Sequence, residues 1–404
     1  MKALSDNQEK AIDKLNKFKV GALFMDTGEG KTRTIVELVN SVSNIDFVLY
    51  IAPYCSINTP LGIKSVIDEV NKWDGFNAPV QYAGIESIGM SDRVYLNIIS
   101  KLSSCKNPFI VVDESIKMKN FDAVRTKRVL ELSKCSEYKL IANATPITRN
   151  ILDIWCQMYF LSPKILNMPL SEFENTFCQK TKITKIIGKK VSEKTFVSGF
   201  ANIDYLYSVI GHYVYECDSD NKNEIINNDI SFCIDNKSEY YRLKEKYLDN
   251  EMLLWKNNNI FMEMTQKMQH SYCLSEEKTE KVRSIIKDID KKRTIIYCKY
   301  IDSQNHCKKL FPESLVLSYQ KNALSLNLQY DYDNTIFWDK IWDYYLVKQA
   351  KGRTNRMGRN KPVKYINTTG NVGLESLIDK NIENKISMAD YIKKVSYNQL
   401  MQDI

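Results

Sequence analysis

Short runs of wholly apolar residues, set between helical patterns, limit most what this chain can fold into. Phe47–Ala52 reads FVLYIA and Phe109–Val112 reads FIVV. A strand that is apolar on both faces needs cover on both faces, and helices flanking a parallel sheet supply it. Over residues 1–160 the pattern predicts strands at Ala22–Asp26, Phe47–Ala52, Pro79–Ala83, Val94–Ile99, Phe109–Asp113 and Lys139–Asn143. Helices are predicted at Gln8–Lys17, Thr32–Ser43 and Leu61–Trp73. The alternation resumes with strands at Thr294–Cys298, Leu315–Ser318, Thr335–Trp338 and Val363–Ile366. The expectation is an α/β chain with one lobe over 1–160 and a second over 276–404, which ends in a C-terminal helix. Residues 161–275 read as a mainly helical insertion or linker. Within it Glu239–Gln269 has helical periodicity, Gln179–Thr195 is a Lys- and Thr-rich loop or small hairpin, and Asp218–Asp229 is an Asn-rich connector.

The 404 residues suit two or three domains. A net charge of +8 permits a polyanionic partner without requiring one. Ten cysteines without a CxxC pair, and three histidines, give no zinc spacing, so reduced thiols and no metal cluster are expected. The N-terminus has no apolar signal core, and no apolar run nears the roughly 20 residues that span a bilayer. A cytoplasmic protein with no membrane partner is the expectation. Abundant Lys, Asn and Ile fit an AT-rich genome, and a phage or bacterial source.

Met25-Asp-Thr-Gly-Glu-Gly-Lys-Thr32 lies between a predicted strand and a predicted helix. Gly28 and Gly30 let the backbone curl close to phosphate oxygens, and the amides of the helix start point at the anion. Lys31 can reach β- and γ-phosphates, and the Thr32 hydroxyl can ligate Mg²⁺. Met25 stands where the full GxxxxGKT pattern has its first Gly, so a chance match in a loop is the alternative. Phe109-Ile-Val-Val-Asp-Glu-Ser115 is an apolar strand ending in two acids. Asp113 is placed to hold Mg²⁺ and Glu114 to act as general base on a water, against the alternative of solvated loop acids. Ala144-Thr-Pro-Ile147 follows a strand, and Gln8 precedes the phosphate loop by one helix. The amide of Gln8 suits paired hydrogen bonds to adenine, or a plain surface position.

Gln349 to Arg359 holds three of the eleven arginines. Gln349, Arg353 and Arg356 fall at i, i+4 and i+7, one face of a helix that Gly358 would end. Guanidiniums in a Lys-rich chain suit planar recognition of phosphate, or a solvated basic helix end.

Taken in order, these segments resemble the superfamily 2 helicase-like ATPases, in particular their SWI/SNF-like DNA translocase branch. Residues 26–32 resemble motif I, which makes Thr27, Gly28, Glu29, Gly30, Lys31 and Thr32 the nucleotide-binding set, with Gln8 on adenine. Ala52-Pro53, with Ser56, Ile57 and Trp73, resembles motif Ia. Asp113-Glu114-Ser115 with Lys117, Lys119 and Asn120 resembles motif II, and Ala144-Thr145-Pro146-Ile147 with Asn150 resembles motif III. Thr294–Cys298 resembles motif IV, Leu326-Asn327-Leu328-Gln329 motif V, and Gln349–Arg359 motif VI, with Trp342 between the last two. The resemblance implies two RecA-like lobes with ATP and Mg²⁺ between them. Lys31, Glu114, Arg353 and Arg356 would be catalytic, and Arg359 a surface or DNA-backbone cation. Nucleic acid would be contacted through Pro53, Thr145 and Asn327. Movement on duplex or branched DNA is the function implied. A strand-separating DNA or RNA helicase is the first alternative and a scaffold that no longer hydrolyses ATP the second. Ile116 stands where many relatives have His and Ser325 where they have Gly. Only 28 positions separate Cys298 from Leu326, so the second lobe is expected to be trimmed.

Overall fold

The computed structural model describes residues 3–404, apart from 27, 60–63, 145, 148–150, 188–189, 218–222, 248–257, 320–327, 329–330, 356–358, 360 and 385–396. Side chains are described outside 181–199, 258–259, 345, 397–398 and 401 as well. The chain divides into two compact units, Met1–Asp220 and Asn221–Ile404. Each holds its own parallel sheet.

The strands of the first sheet are β1 (Val20–Met25), β2 (Phe47–Ala52), β3 (Val80–Gly84), β4 (Pro108–Asp113), β5 (Tyr138–Asn143) and β8 (Val214–Cys217), in the order β3-β2-β4-β5-β1-β8. All five pairings are parallel. The apolar runs are buried on both sides, and alternate residues enter different cores. Ala22, Phe24, Leu49, Ile51, Ile110, Val112 and Ile141 join one cluster, while Leu23, Met25, Val48, Tyr50, Val111 and Leu140 join the other. Each Val, Leu, Ile, Phe or Met among them contributes about 1.5–3 kcal/mol of burial.

The helix Asp6–Leu15 opens on a capping box in which the Ser5 hydroxyl accepts from the Gln8 N–H and the Gln8 side chain accepts from the Ser5 N–H. The strand expected at Val94–Ile99 is instead part of the helix Asp92–Ser104. Ser91 caps it by accepting from the Val94 N–H, and Ile98 and Leu102 are buried at i, i+4 spacing. Helical spacing and a cap outweigh the β-branched residues of that run.

Residues 161–275 are not one helical insertion. The first unit takes the helices Leu170–Phe177 and Ile203–Ile210, the antiparallel hairpin of β6 (Cys178–Ile187) and β7 (Lys190–Phe200), and strand β8. The second unit begins with β9 (Ile225–Phe232), which overlaps the expected Asn-rich connector. As an edge strand it leaves five consecutive residues exposed before burying Ile230 and Phe232. That explains a polar sequence in a strand.

The second sheet holds β9, β10 (Thr294–Cys298), β11 (Leu315–Ser318), β12 (Asn334–Phe337) and β13 (Val363–Gly370), in the order β11-β10-β12-β13-β9, again all parallel. Ile296, Cys298, Ile336, Trp338 and Ile366 pack on Val282 and Ile286 of the helix Glu276–Lys287. Lys278 of that helix forms a buried ion pair with Asp339 (3.2 Å), just after β12. Asp339 also accepts from the Lys299 N–H (2.9 Å) just after β10, so one carboxylate ties two strand ends together. Among the described residues no helix is long and apolar enough to cross a membrane.

Ile110 on central strand β4 is fully buried, whereas Ile301 is 74 % exposed. Ile110→Ala is expected to destabilise the first unit by about 2–5 kcal/mol and Ile301→Ala to change stability by less than about 0.5 kcal/mol. Urea unfolding checks both.

Candidate active site

Strand β1 delivers the phosphate loop to the C-terminal edge of the first sheet. Gly28 (φ 99°) and Gly30 (φ 79°) both take left-handed backbone, and Gly30 caps the helix Lys31–Asn40. A Cβ on Gly30 would be strained by its left-handed backbone, and at 2.1 Å from Nε2 of Gln8 it would push that amide aside. Lys31 donates from Nζ to the Met25 carbonyl oxygen (3.1 Å), across the loop it belongs to. Thr32 sits half-buried in the first turn of the helix. Thr27 lies outside the described residues.

Gln8 is buried against this loop rather than on the surface. Its Nε2 donates to the carbonyl oxygens of Gly30 (3.2 Å) and Glu29 (3.5 Å), and its Oε1 accepts from the Ser5 N–H (3.0 Å). Glu29 is buried, and its carboxylate accepts from Asn7 Nδ2 (3.2 Å). The helix Asp6–Leu15 is thereby bound to the phosphate loop through two side chains.

Strand β4 ends in the two acids. Asp113 accepts from the Tyr50 hydroxyl (3.2 Å) and from the Glu114 N–H (3.0 Å). Burial, then the neighbouring Glu114 charge, pushes the Asp113 carboxyl up to about 6, while the Lys31 ammonium draws it down. Glu114 is buried with φ 54° and ψ 50°, a left-handed conformation that costs a non-glycine residue about 1–2 kcal/mol. Such a residue at a strand end is where functional strain concentrates. The donor set of the site, hydroxyl and carboxylate oxygens from Thr32 and Asp113, is the hard type that suits Mg²⁺.

Two residues of the site were not singled out in the sequence. Tyr50 is the one hydroxyl in an otherwise apolar strand, and it ends on Asp113. Gln157 is fully buried in the helix Asp153–Leu161. Its Oε1 accepts from Ser115 Oγ (2.6 Å), and its Nε2 donates to the carbonyl oxygens of Pro146 (2.7 Å) and Asp153 (2.8 Å). It thus joins the turn after β4 to the turn after β5. The signal was a lone amide in the apolar run Ile-Trp-Cys-Gln-Met-Tyr-Phe. Thr145 and Asn150, from the same turn, lie outside the described residues. Pro53 is buried at the end of β2, where its carbonyl oxygen accepts from Ser56 Oγ (2.6 Å).

In the second unit the helix of the arginine segment runs Tyr344–Gly352, with Asp343 as its cap. It therefore stops before Arg356 and Gly358, which lie outside the described residues together with Asn327. Gly352 weakens the last turn, and the Arg353 N–H reaches back to Ala350. Gln349 and Arg353 are both buried, and among the described residues the Gln349 amide has neither donor nor acceptor partner. Arg359 is not a surface cation. Its guanidinium pairs with Asp333 (2.6 Å) and donates to the carbonyl oxygens of Lys361 (2.7 Å), Tyr332 (2.8 Å) and Pro362 (3.0 Å). The acid just before β12, also held by Arg293 (2.5 Å), draws it into the fold.

Gln157→Leu removes an amide that three groups use, two of them in buried hydrogen bonds and one in a part-buried one. It is expected to cost the first unit about 1–3 kcal/mol per group left unpaired. Amide exchange in Ser115–Met118 should rise while exchange in β1 holds, read by hydrogen–deuterium exchange. Unchanged exchange there would contradict the tie.

The SNF2-related domain family matches residues 80–310, more than half of the chain, from β3 to the helix Ile301–Leu310. Nucleoside triphosphatase I of Melanoplus sanguinipes entomopoxvirus is 28% identical over 179 residues, 38% of this chain and 25% of the relative. Nucleoside triphosphatase I of Amsacta moorei entomopoxvirus is 23% identical over 219 residues, 46% of this chain and 32% of the relative. The chain thus spans a quarter to a third of the length of these relatives. Among solved structures, the Sulfolobus solfataricus SWI2/SNF2 ATPase core in complex with dsDNA aligns over 100% of this chain and 97% of its own, at 17% identity and a TM-score of 0.42. With a phosphate loop and an acid pair at one sheet edge, and a family match over most of its length, this chain belongs to the SNF2-related domain family.

Proposed function

We propose that the chain is an ATP hydrolase that couples turnover to movement on duplex or branched DNA. The observation that carries the reading is the meeting of three turns, after β1, β5 and β4, at one edge of three adjacent strands. They bring together Lys31, the Pro146 turn, and Asp113 with Glu114. Membership of the SNF2-related family and the Asp-Glu-Ser form of motif II support DNA as the track. The ten free cysteines support a reducing compartment such as the cytoplasm.

In this reading the loop amides of residues 28–31 and the helix start hold the phosphates of ATP, and Lys31 leaves the Met25 carbonyl to reach them. Adenine reading by Gln8 requires its ties to Gly30 and Glu29 to open. Mg²⁺, when bound by Thr32 and Asp113, spreads the charge that builds on the phosphate oxygens. Glu114 takes the proton of the attacking water as its oxygen bonds to the γ-phosphorus and the bond to the β,γ-bridging oxygen breaks. Arg353 and Arg356 stabilise the transferring phosphoryl group, and this makes the second unit necessary for turnover. Pro53, Thr145 and Asn327 belong to the DNA-facing set, where contacts go to the backbone and carry no sequence preference.

Glu114→Gln is expected to keep ATP affinity and to lower kcat by about 10²–10⁴-fold. Arg353→Ala should lower kcat by about 10³-fold or more with little change in nucleotide affinity. Steady-state ATPase assays beside equilibrium nucleotide binding separate the two effects. Normal turnover in Glu114→Gln would remove it as the base.

A further inference from the structure

The hairpin of β6 and β7 uses its charge in a way the ATPase reading leaves unexplained. Residues 178–200 hold six lysines (Lys180, Lys182, Lys185, Lys189, Lys190 and Lys194) against the single acid Glu193, a net +5 of the chain's +8. The hairpin is a two-stranded sheet of its own, paired from Cys178↔Phe200 to Ile187↔Lys190. Beyond its root only one cross-strand pair, Ile186↔Val191, is apolar on both strands; Lys182↔Thr195, Ile183↔Lys194 and Lys185↔Ser192 are typical of the rest. The register thus gives the ribbon a polar pattern along both strands.

Its root is packed into the core of the first unit. Phe173, Phe177 and Cys178 are buried, and the Phe177 ring stacks on Tyr205 (6.1 Å). The Ala201 N–H donates to the Phe177 carbonyl oxygen (3.0 Å), and Lys180 pairs with Glu174 (3.2 Å). Beside this root Phe200, Tyr205 and Tyr207 are 44 %, 53 % and 47 % exposed. A buried stem thus carries a strongly basic ribbon with aromatic rings at its foot. Lysines on strand edges also guard against aggregation, but six of them against one acid on a single ribbon build a positive field as well.

We infer that this hairpin is a second grip on duplex DNA, held by phosphates and separate from the ATPase site; the inference rests on the DNA reading above. Ten residues of β6 span about 33 Å, close to the roughly 34 Å of one duplex turn, and the major groove admits a two-stranded ribbon. Lysines on both strands meet phosphates without base reading, as a protein that moves along DNA requires. The exposed tyrosine hydroxyls at the foot add phosphate donors of the same kind.

The test uses the full chain and two variants. One carries Lys182→Gln, Lys185→Gln, Lys190→Gln and Lys194→Gln; in the other Asn-Gly replaces residues 181–196, closing the ribbon at the Lys180↔Val197 pair. Duplex binding is measured across a salt series, and DNA-free ATP hydrolysis beside it. Both variants should keep the DNA-free rate. The salt slope should fall by about 0.9 for each phosphate no longer neutralised, up to about 3.6 for the four lysines, and affinity near physiological salt by at least about tenfold. The full-chain slope in both variants would overturn the grip and leave the ATPase reading standing. Hairpin-dependent binding of duplex DNA that never stimulates hydrolysis would overturn the translocase reading and leave the grip. A larger loss on duplex RNA than on duplex DNA would overturn DNA as the partner.

Discussion

The parallel pairing of β4, β5 and β1 is the constraint on which the rest depends. Its register aligns Asp113 with Ala142 and Phe24 with Asn143, so the three strands finish level within a residue. Strands two places apart are about 10 Å apart in the sheet, a distance that phosphates can bridge. The acid pair and the phosphate loop, more than 80 residues apart in sequence, are thus set by backbone hydrogen bonds rather than by side-chain contacts. The apolar residues that fill both faces add to that register, since a slip would move each side chain out of the packing its size fits.

Polar side chains then lock the turns that leave this edge. Gln8 and Glu29 fasten the first helix to the phosphate loop, Tyr50 fastens β2 to Asp113, and Gln157 joins the turns after β4 and β5. Ile116, where many members of the resembled family have His, is buried, and its neighbour Ser115 is tied through Gln157 to the turn after β5. In the second unit the Lys278–Asp339 pair and the Arg359–Asp333 pair do similar work at strand ends.

What could be read from the sequence follows from this division. Phe47–Ala52 and Thr294–Cys298 were bounded to the residue because apolar runs of strand length admit few other readings. The loop after β1 and the acids ending β4 stood out because Gly-x-Gly-Lys-Thr and Asp-Glu put particular residue types in adjacent positions, and both lie at the same sheet edge. Val94–Ile99 misled because β-branched residues happened to fall at helical spacing. Strand β9 was hidden because an edge strand that is polar on its exposed side resembles a connector. Gln157 and Tyr50 act through partners 42 and 63 positions away, which local pattern does not encode. Arg359 misled for the same reason: Asp333, its partner, gives no local sign of being one.

The central claim is that hydrolysis at this sheet edge is coupled to duplex DNA. The most direct measurement is the rate of ATP hydrolysis by the full chain with duplex DNA, single-stranded DNA and RNA, each titrated at fixed salt. The account predicts strong stimulation by duplex DNA and much weaker stimulation by the other two. Stimulation by RNA alone, or a rate indifferent to all three, would contradict it.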